Sequence, residues 1–385
     1  MNMIIRKTSI LNMLLYLIVI LSFFSYEYWI YNNVYQLAIL LIFSLGVILL
    51  IVGLTDKVIE YKFIHKTRKN LMIYLLGILL LLSTLYSSIK FGSMTVTNLL
   101  SVIIMMMNFF IFFLFIPILI GGDLEKKINK LILLITIFSI IGIIIYLKGS
   151  FLGYSANYQR SSSIFFDPNY FGTICVVGFI LSIYKKGIYK LFSILNLMAL
   201  VFTGSRGAML SLLIVIVIFY FYKKNFNIKT ILAFLFLGIF IFYFLFFLYR
   251  IDFFRIYQGS NSRFFLWSIS FELIKNEPIF GYGYGSVDEL LRAQGAINGS
   301  SHNAYLDFIM MYGIPSFLIY LMIILKTLYQ GIKNKVPRYI IMSILVLLIN
   351  ANTISINFGG LGATSLLLTL FLGICISYNS SFTKS

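Results

Sequence analysis

Leu131-Ile-Leu-Leu-Ile-Thr-Ile-Phe-Ser-Ile-Ile-Gly-Ile-Ile-Ile-Tyr-Leu-Lys-Gly149 carries a single charge, Lys148. At about 1.5 Å per helical residue, a run of this length approaches the roughly 30 Å hydrocarbon thickness of a bilayer. Working outward, comparable apolar runs fall near 10–31, 34–54, 71–89, 97–120, 170–184, 191–204, 206–222, 230–249, 303–325, 339–357 and 362–378. The chain is 61% hydrophobic and 11% charged, with a mean hydropathy of +0.98. Soluble domains carry about 25% charged residues. The pattern predicts an all-α polytopic membrane protein of about twelve transmembrane helices, with 1–385 forming a single integral membrane domain. Arg6 and Lys7 precede the first run as in a signal peptide. No small-residue cleavage site follows, so this run reads as a retained first span.

The net charge of +18 does not point to nucleic acid, because the basic residues come in short clusters between apolar runs. With the N-terminus placed in the cytoplasm, 21 of the 30 Lys and Arg residues fall on cytoplasmic segments and nine on the opposite face. This bias predicts that both termini are cytoplasmic. The two faces also differ in kind. Six of the nine outer cations are arginine, against three of the 21 inner ones. Lysine suffices beside lipid headgroups, whereas arginine offers a rigid fork suited to phosphate and carboxylate. The outer face therefore reads as built for an anion such as a diphosphate.

One polar interval, Tyr249 to Gly313, interrupts the apolar series. It contains the long extracytoplasmic loop 250–302. The pattern predicts an amphipathic surface helix from about Ser262 to Asn276, stopped by Pro278, and a second short helix near Val287 to Ala293. Between them runs Gly281-Tyr-Gly-Tyr-Gly285, which lacks the preceding buried strand of a nucleotide-binding loop. It reads as a flexible turn, either plain or one that offers Tyr282 and Tyr284 for stacking on sugar rings. The segment 90–96 shows nothing notable. Cys175 and Cys375 both sit inside apolar runs, so neither a disulfide framework nor a metal-ligand spacing is available. No outer segment offers an Asp-x-Asp pair or a His–carboxylate set, so no metal site and no cofactor is expected.

Each candidate has a structural reading beside a functional one. Arg206 lies between two apolar runs and is either a snorkelling anchor or an anion ligand; the cost of an arginine there favours the ligand. Arg263 opens the surface helix, where a cation opposes the helix dipole, so a purely structural role is uncomfortable. Arg160 stands between the two readings, in an outer loop. Arg250, Arg255 and Arg292 are balanced by Asp252, Asp288 and Glu289 and read as solvated pairs. His65 reads as a solvated residue of a basic loop. His302 is either a cap or interfacial residue, or a general base whose ordinary pKa is near neutral. Asn303 caps the following span or touches substrate. Asp307 is four residues from Asn303 and is expected to contact it. Asp167-Pro168-Asn169 reads as a helix start, with a polar cap before an early proline.

Taken in order, Arg160 ahead of Phe166-Asp-Pro-Asn169, Thr203-Gly-Ser-Arg-Gly-Ala208, Arg263-x3-Trp267, Pro278-Ile-Phe-Gly-Tyr-Gly-Tyr-Gly-Ser286 and His302-Asn-Ala-Tyr-Leu306 with Gly313 resemble the O-antigen ligase/polymerase family. The resemblance covers roughly Arg160 to Gly313. It implies a metal-independent glycosyltransferase in the bacterial inner membrane, acting at the extracytoplasmic face on an undecaprenyl-diphosphate-linked oligosaccharide. Carried over, Arg206 and Arg263 would hold the diphosphate with Arg160 assisting, and His302 would deprotonate or position the acceptor hydroxyl. From the residues alone, Asn303, Tyr282 and Tyr284 are the weaker candidates for contact with glycan. Membrane lipid, and a chain-length regulator and flippase of the same pathway, are the implied partners.

The expected activity is that of a polysaccharide polymerase joining lipid-linked repeat units. A ligase moving finished glycan to a lipid or protein acceptor is the nearest alternative, since the same motifs serve both. A flippase or other transporter is the third. Transport would place charged or broken-helix positions deep within several spans, whereas these charges cluster at the rim, with Glu27 the main exception.

Overall fold

A computed structural model describes residues 2–24, 34–92, 95–120, 123–151, 154–156, 160–223, 261–296, 299–354 and 359–378. The chain folds into helices α1 (Asn2–Phe24), α2 (Val34–Leu54), α3 (Lys57–Lys69) and α4 (Leu71–Phe91). A continuous helix, α5, follows over 95–120; its Asn108–Phe115 stretch is wound as a π-helix. Then come α6 (Leu124–Lys148), α7 (Pro168–Ile183), α8 (Tyr189–Thr203) and α9 (Arg206–Lys223). After the interval 224–260 follow α10 (Asn261–Asn276), α11 (Val287–Ala293), α12 (Ala304–Lys333), α13 (Arg338–Asn350) and α14 (Ala363–Ser377). Two dipeptides, Ser150–Phe151 and Tyr154–Ser155, pair as a small antiparallel hairpin after α6.

Among the described residues, five helices are long and apolar enough to cross a membrane: Leu37–Leu54, Leu71–Phe91, Asn98–Ile120, Leu124–Lys148 and Ala304–Lys333. The other apolar helices are shorter, and two of them are buried on nearly all sides. Along α14 every residue from Ala363 to Cys375 is buried, and α7 is nearly the same. A helix apolar on all sides and buried on all sides is a core element, whose ends are covered by protein. Around it Phe112, Phe113 and Phe115 of the π-wound stretch pack with Phe371 and Phe171, all fully buried. A helix lies along each anticipated apolar run except 230–249, which falls outside the described residues, as do 25–31 and 355–357 of two others. The amphipathic helix expected from Ser262 is α10, and the short helix near Val287 is α11.

α3 was not foreseen as an element. Asp56 caps it, accepting from the amides of Val58 at 2.9 Å and Ile59 at 3.3 Å. Glu60 sits in its first turn and Lys66, Arg68 and Lys69 in its last, each on the side the helix dipole favours. Lys66 donates to Ser377, tying this helix to the end of α14. Nearby, Glu125 accepts from Lys185 and from Tyr339, and Asn334 donates to the carbonyl of Cys375. These contacts gather one end of the bundle, the lysine end.

The opposite, arginine end depends on a break in α12. Gly313 has φ +79° and ψ 167°, so α12 is two helices meeting at a kink. In an unbroken helix Met310 would accept from Ile314 and Met311 from residue 315. That residue is Pro315, which has no N–H, and the kink turns the Ile314 amide away. Both orphaned carbonyls are filled by the glycine run. Tyr282 donates to Met310 at 2.8 Å, Gly283 donates to Met311 at 2.9 Å, and the Ile314 amide donates to Pro278 at 2.8 Å. Neighbouring helices clamp the same strap: Ser83 of α4 donates to Phe280, and Gly285 donates to Asn98 of α5 at 2.7 Å. The run is thus an ordered joint, correcting its reading as a flexible turn. Tyr282 is buried with its hydroxyl donating to Leu273 at 3.2 Å, and Tyr284 is half-buried against the main core. The segment at Lys90 is not featureless either. Lys90 pairs with Glu277 and bonds to Tyr86, bracing the end of α10.

A side chain at 313 would meet the Ile279 carbonyl oxygen, in a backbone conformation costing about 1–3 kcal/mol for non-glycine residues. Gly313→Ala therefore lowers the midpoint of thermal unfolding in detergent markedly more than Gly92→Ala. Gly92 shares the left-handed backbone, with φ +59°, but has open space around it. Equal shifts would show that the joint contributes nothing beyond backbone strain.

Candidate active site

The arginine end is assembled from four chain segments. Arg160 is held from two sides: Nε donates to the Thr203 carbonyl at 2.6 Å and Nη2 to Asn169 Oδ1 at 3.0 Å. Its neighbour Ser161 donates its amide to Phe202 at 2.9 Å, so this loop lies along the end of α8. Gly204, left-handed at φ +57°, ends α8. Ser205 Oγ accepts from the Ala208 amide at 3.4 Å as α9 begins, placing the exposed Arg206 on its first turn. Asp167 caps α7, accepting from the Asn169 amide at 2.6 Å with Pro168 next to it.

α9 and α12 are brought together by the end of α13. An added Cβ at Gly207 would sit 2.5 Å from Thr353 Oγ1, so α9 starts flush against the turn after α13. Asn350 donates to Ser211 at 2.8 Å, and the Ala304 amide, opening α12, donates to Ala351 at 2.8 Å. Arg206 and His302 therefore stand at the starts of two helices that lean on one turn. The loop before α12 is stiff. Asn303 caps α12 by accepting from Tyr305 at 3.0 Å and Leu306 at 3.3 Å. Asp307 does not bond to Asn303's side chain as anticipated. It accepts instead from the Ser301 amide at 2.9 Å, Ser301 Oγ at 2.6 Å and Ser300 Oγ at 2.9 Å. His302 sits between these fixed points with φ +53°. Non-glycine residues enter that region at a cost, and histidine is among those found there more often than most.

α10 joins through Trp267, whose Nε1 donates to the Ser301 carbonyl at 3.2 Å. Arg263 lies four residues earlier, one turn away on the same face of the helix. It is half-buried, and neither it nor Arg206 makes a hydrogen bond or ion pair among the described residues. Burial lowers the Arg263 pKa first and the charge of Arg206 second, while Asp167 opposes them. At His302 burial again acts first and Arg263 second, holding its pKa below the ordinary histidine value against Asp167 and Asp307. Arg263 thus feels the charges of Arg206 and Asp167, and His302 those of Arg263, Asp167 and Asp307. The arrangement leaves an incompletely neutralised guanidinium pair beside an imidazole that is uncharged at neutral pH. Such a pair can hold a diphosphate, and such an imidazole can accept a proton.

Of the residues singled out in the sequence, the structure gathers Arg206, Arg263 and His302, with Arg160 braced against the turn that leads to Arg206. Tyr282 belongs instead to a small core with Leu273, Val287 and Met310. Arg292 is an exposed pair with Asp288 at 2.9 Å, and His65 is exposed. Arg250 and Arg255 lie outside the described residues. Sequence reasoning gave Asp167 only a capping role and missed that its carboxylate also faces Arg263 and His302. It also missed Trp267 as the tether of Arg263, although the four-residue spacing was a signal for that. Among the described residues no three His, Cys, Asp or Glu side chains gather into a metal-binding group.

With only two histidines in the chain, a His65→Asn background leaves His302 alone to titrate by NMR in detergent. Arg263→Gln removes a neighbour that depresses the His302 pKa, so the pKa rises. Asp167→Asn removes one that raises it, so the pKa falls. Unchanged titrations in both variants would mean that these groups do not face the ring.

No curated protein matches the chain. Residues 191–321, which contain Arg206, Arg263 and His302, match the model of a protein family described as O-Antigen ligase. The match begins in α8 and ends within α12, so it covers the helices that carry those three residues. The matched segment supports the resemblance to the O-antigen ligase/polymerase family.

Proposed function

We propose that this protein is a polysaccharide polymerase making O-antigen, capsule or exopolysaccharide. It moves glycan from undecaprenyl diphosphate to the acceptor hydroxyl of another lipid-linked repeat unit. The observation that carries the reading is the placement of Arg206 and Arg263, each without a protein partner among the described residues, beside a half-buried His302 of lowered pKa. In the proposed step the acceptor hydroxyl oxygen forms a bond to the anomeric carbon, and the bond from that carbon to the diphosphate oxygen breaks. The electron pair leaves with the diphosphate, whose charge the two guanidinium groups stabilise. The hydroxyl proton passes to a ring nitrogen of His302. Direct displacement inverts the anomeric centre. Arg160, committed to Thr203 and Asn169, fixes the loop and borders the diphosphate site. The family's description as O-Antigen ligase supports a second reading, transfer of finished glycan to a lipid or protein acceptor. Both readings use the same donor chemistry.

Purified protein given undecaprenyl-diphosphate repeat units in detergent, without nucleotide, forms lengthened lipid-linked glycans. Lengthening only when a separate acceptor is added would favour the ligase. Arg206→Ala lowers the rate by about 10²-fold or more. His302→Asn, which keeps a left-handed backbone accessible, lowers it by roughly 10²- to 10⁴-fold. Near-normal turnover by His302→Asn would remove the base from the scheme. Because the base must be neutral and its pKa is lowered, the rate falls only as pH drops below the ordinary histidine range and is flat through neutrality.

The proposal places the protein in the bacterial inner membrane, with both termini cytoplasmic and the site outside. In intact cells an impermeant maleimide then labels Asp288→Cys, whereas Lys69→Cys reacts only after permeabilisation. The reverse pattern would invert the topology.

A further inference from the structure

A second site lies far from the arginine cluster, between α1, α6 and α14. A groove of about 370 Å³ opens there on the side of the bundle, within the range of ligand-sized pockets. Leu15, Ile137 and Leu370 are typical of its lining; the charged side chains bordering it are Lys127 and Lys130. Both belong to the first turns of α6, so they mark one end of the groove. From Lys127 to Ile137 the groove follows ten residues of helix, about 15 Å, which is roughly the hydrocarbon depth of one leaflet. Its charge therefore sits at headgroup depth and its apolar walls run to the bilayer midplane.

The nearby acids offset this end only in part: the charge of Asp123 reaches Lys127 without an ion pair to it among the described residues. Glu125 is taken by Lys185 and Tyr339, and Asp123 lies 3.8 Å from Lys126. Lys127 donates to the Leu119 carbonyl at 2.8 Å, and Lys130 lies 4.0 Å from the centroid of the Tyr16 ring. A carbonyl and an aromatic face hold the two ammonium groups in position without cancelling their charge. We propose that this groove binds a single anionic phospholipid from the lysine-side leaflet, its phosphate on Lys127 and Lys130 and an acyl chain along α6. The site is independent of the glycan chemistry at the other end of the bundle.

The test uses the full-length protein in nanodiscs of phosphatidylcholine. Trace phosphatidylglycerol or trace phosphatidylcholine is added, each with a photoreactive diazirine in its acyl chain, and adducts are mapped by peptide mass. Phosphatidylglycerol is expected to label the groove segments 15–20, 128–137 and 367–374 roughly tenfold more than phosphatidylcholine, whose phosphate is already countered by its own choline cation. Lys127→Gln/Lys130→Gln brings that labelling down to the phosphatidylcholine level. Excess free glycerol 3-phosphate leaves it unchanged, because a headgroup alone gains nothing from the apolar walls. Equal labelling by the two lipids in the unmodified protein would overturn the proposal without recourse to any variant. Loss of labelling to free glycerol 3-phosphate would reassign the groove to a soluble anion. Labelling that survives in the double variant would take the lysines out of it.

Discussion

In hydrocarbon a backbone amide or carbonyl has no water to turn to, so any interruption of a spanning helix must be repaired by protein. The interruption at Gly313 and Pro315 sets the terms for the whole arginine end. The carbonyls of Met310 and Met311 require donors, and the amides of Tyr282 and Gly283 supply them. That requirement draws the outer strap down onto α12, where Ser83 and Asn98 hold it from behind. α10, just ahead of the strap, is thereby fixed over the start of α12, and Trp267 completes the placement through Ser301. Arg263 reaches His302 because a helix elsewhere was broken and mended.

The electrostatics of the cluster run against folding and in favour of binding. Burial and the charge of Arg206 both raise the cost of charging Arg263, and Asp167 offsets part of it. Arg160, by contrast, donates to Thr203 and Asn169, which hold its loop along the end of α8. Under the proposed function, an arriving diphosphate would relieve the repulsion between Arg206 and Arg263. The histidine shares the arrangement. Burial and Arg263 keep it neutral, while its strained backbone keeps it between two serines and a cap.

The helices were legible because hydrocarbon imposes a long apolar signal that little else in a sequence produces. The cations could be sorted by face for a related reason, since each loop follows from the parity of the spans before it. Arg206, Arg263 and His302 stood out because charge or titratable function at an apolar boundary is expensive. The less legible features depend on contacts between distant segments. Asp167 looked like a cap and is one; that its carboxylate also faces Arg263 depends on how α10 lies over α7. Glycines 281, 283 and 285 suggested looseness, since glycine is permissive in isolation. Here the same freedom lets Gly281 pack against the backbone of α12, and Gly283 against Ser87 and Asn98, where a Cβ would collide. α3 escaped notice because its polar sequence carries no span-length signal, and its capping aspartate is a single-residue cue.

The strap also orders events during synthesis. Its bond from Ser83 to Phe280 joins residues 197 apart, that from Ser83 to Met311 228 apart, and that from Gly285 to Asn98 187 apart. When the ribosome has made residue 286, α4 and α5 are already present, but the carbonyls that receive Tyr282 and Gly283 do not yet exist. The loop can touch its rear supports early and acquires its front ones only once α12 has emerged and kinked. Assembly of the arginine end is therefore a late, long-range closure. A chain truncated after residue 286 would retain Arg160, Arg206 and Arg263 without His302 to face and without a rail to hold the strap.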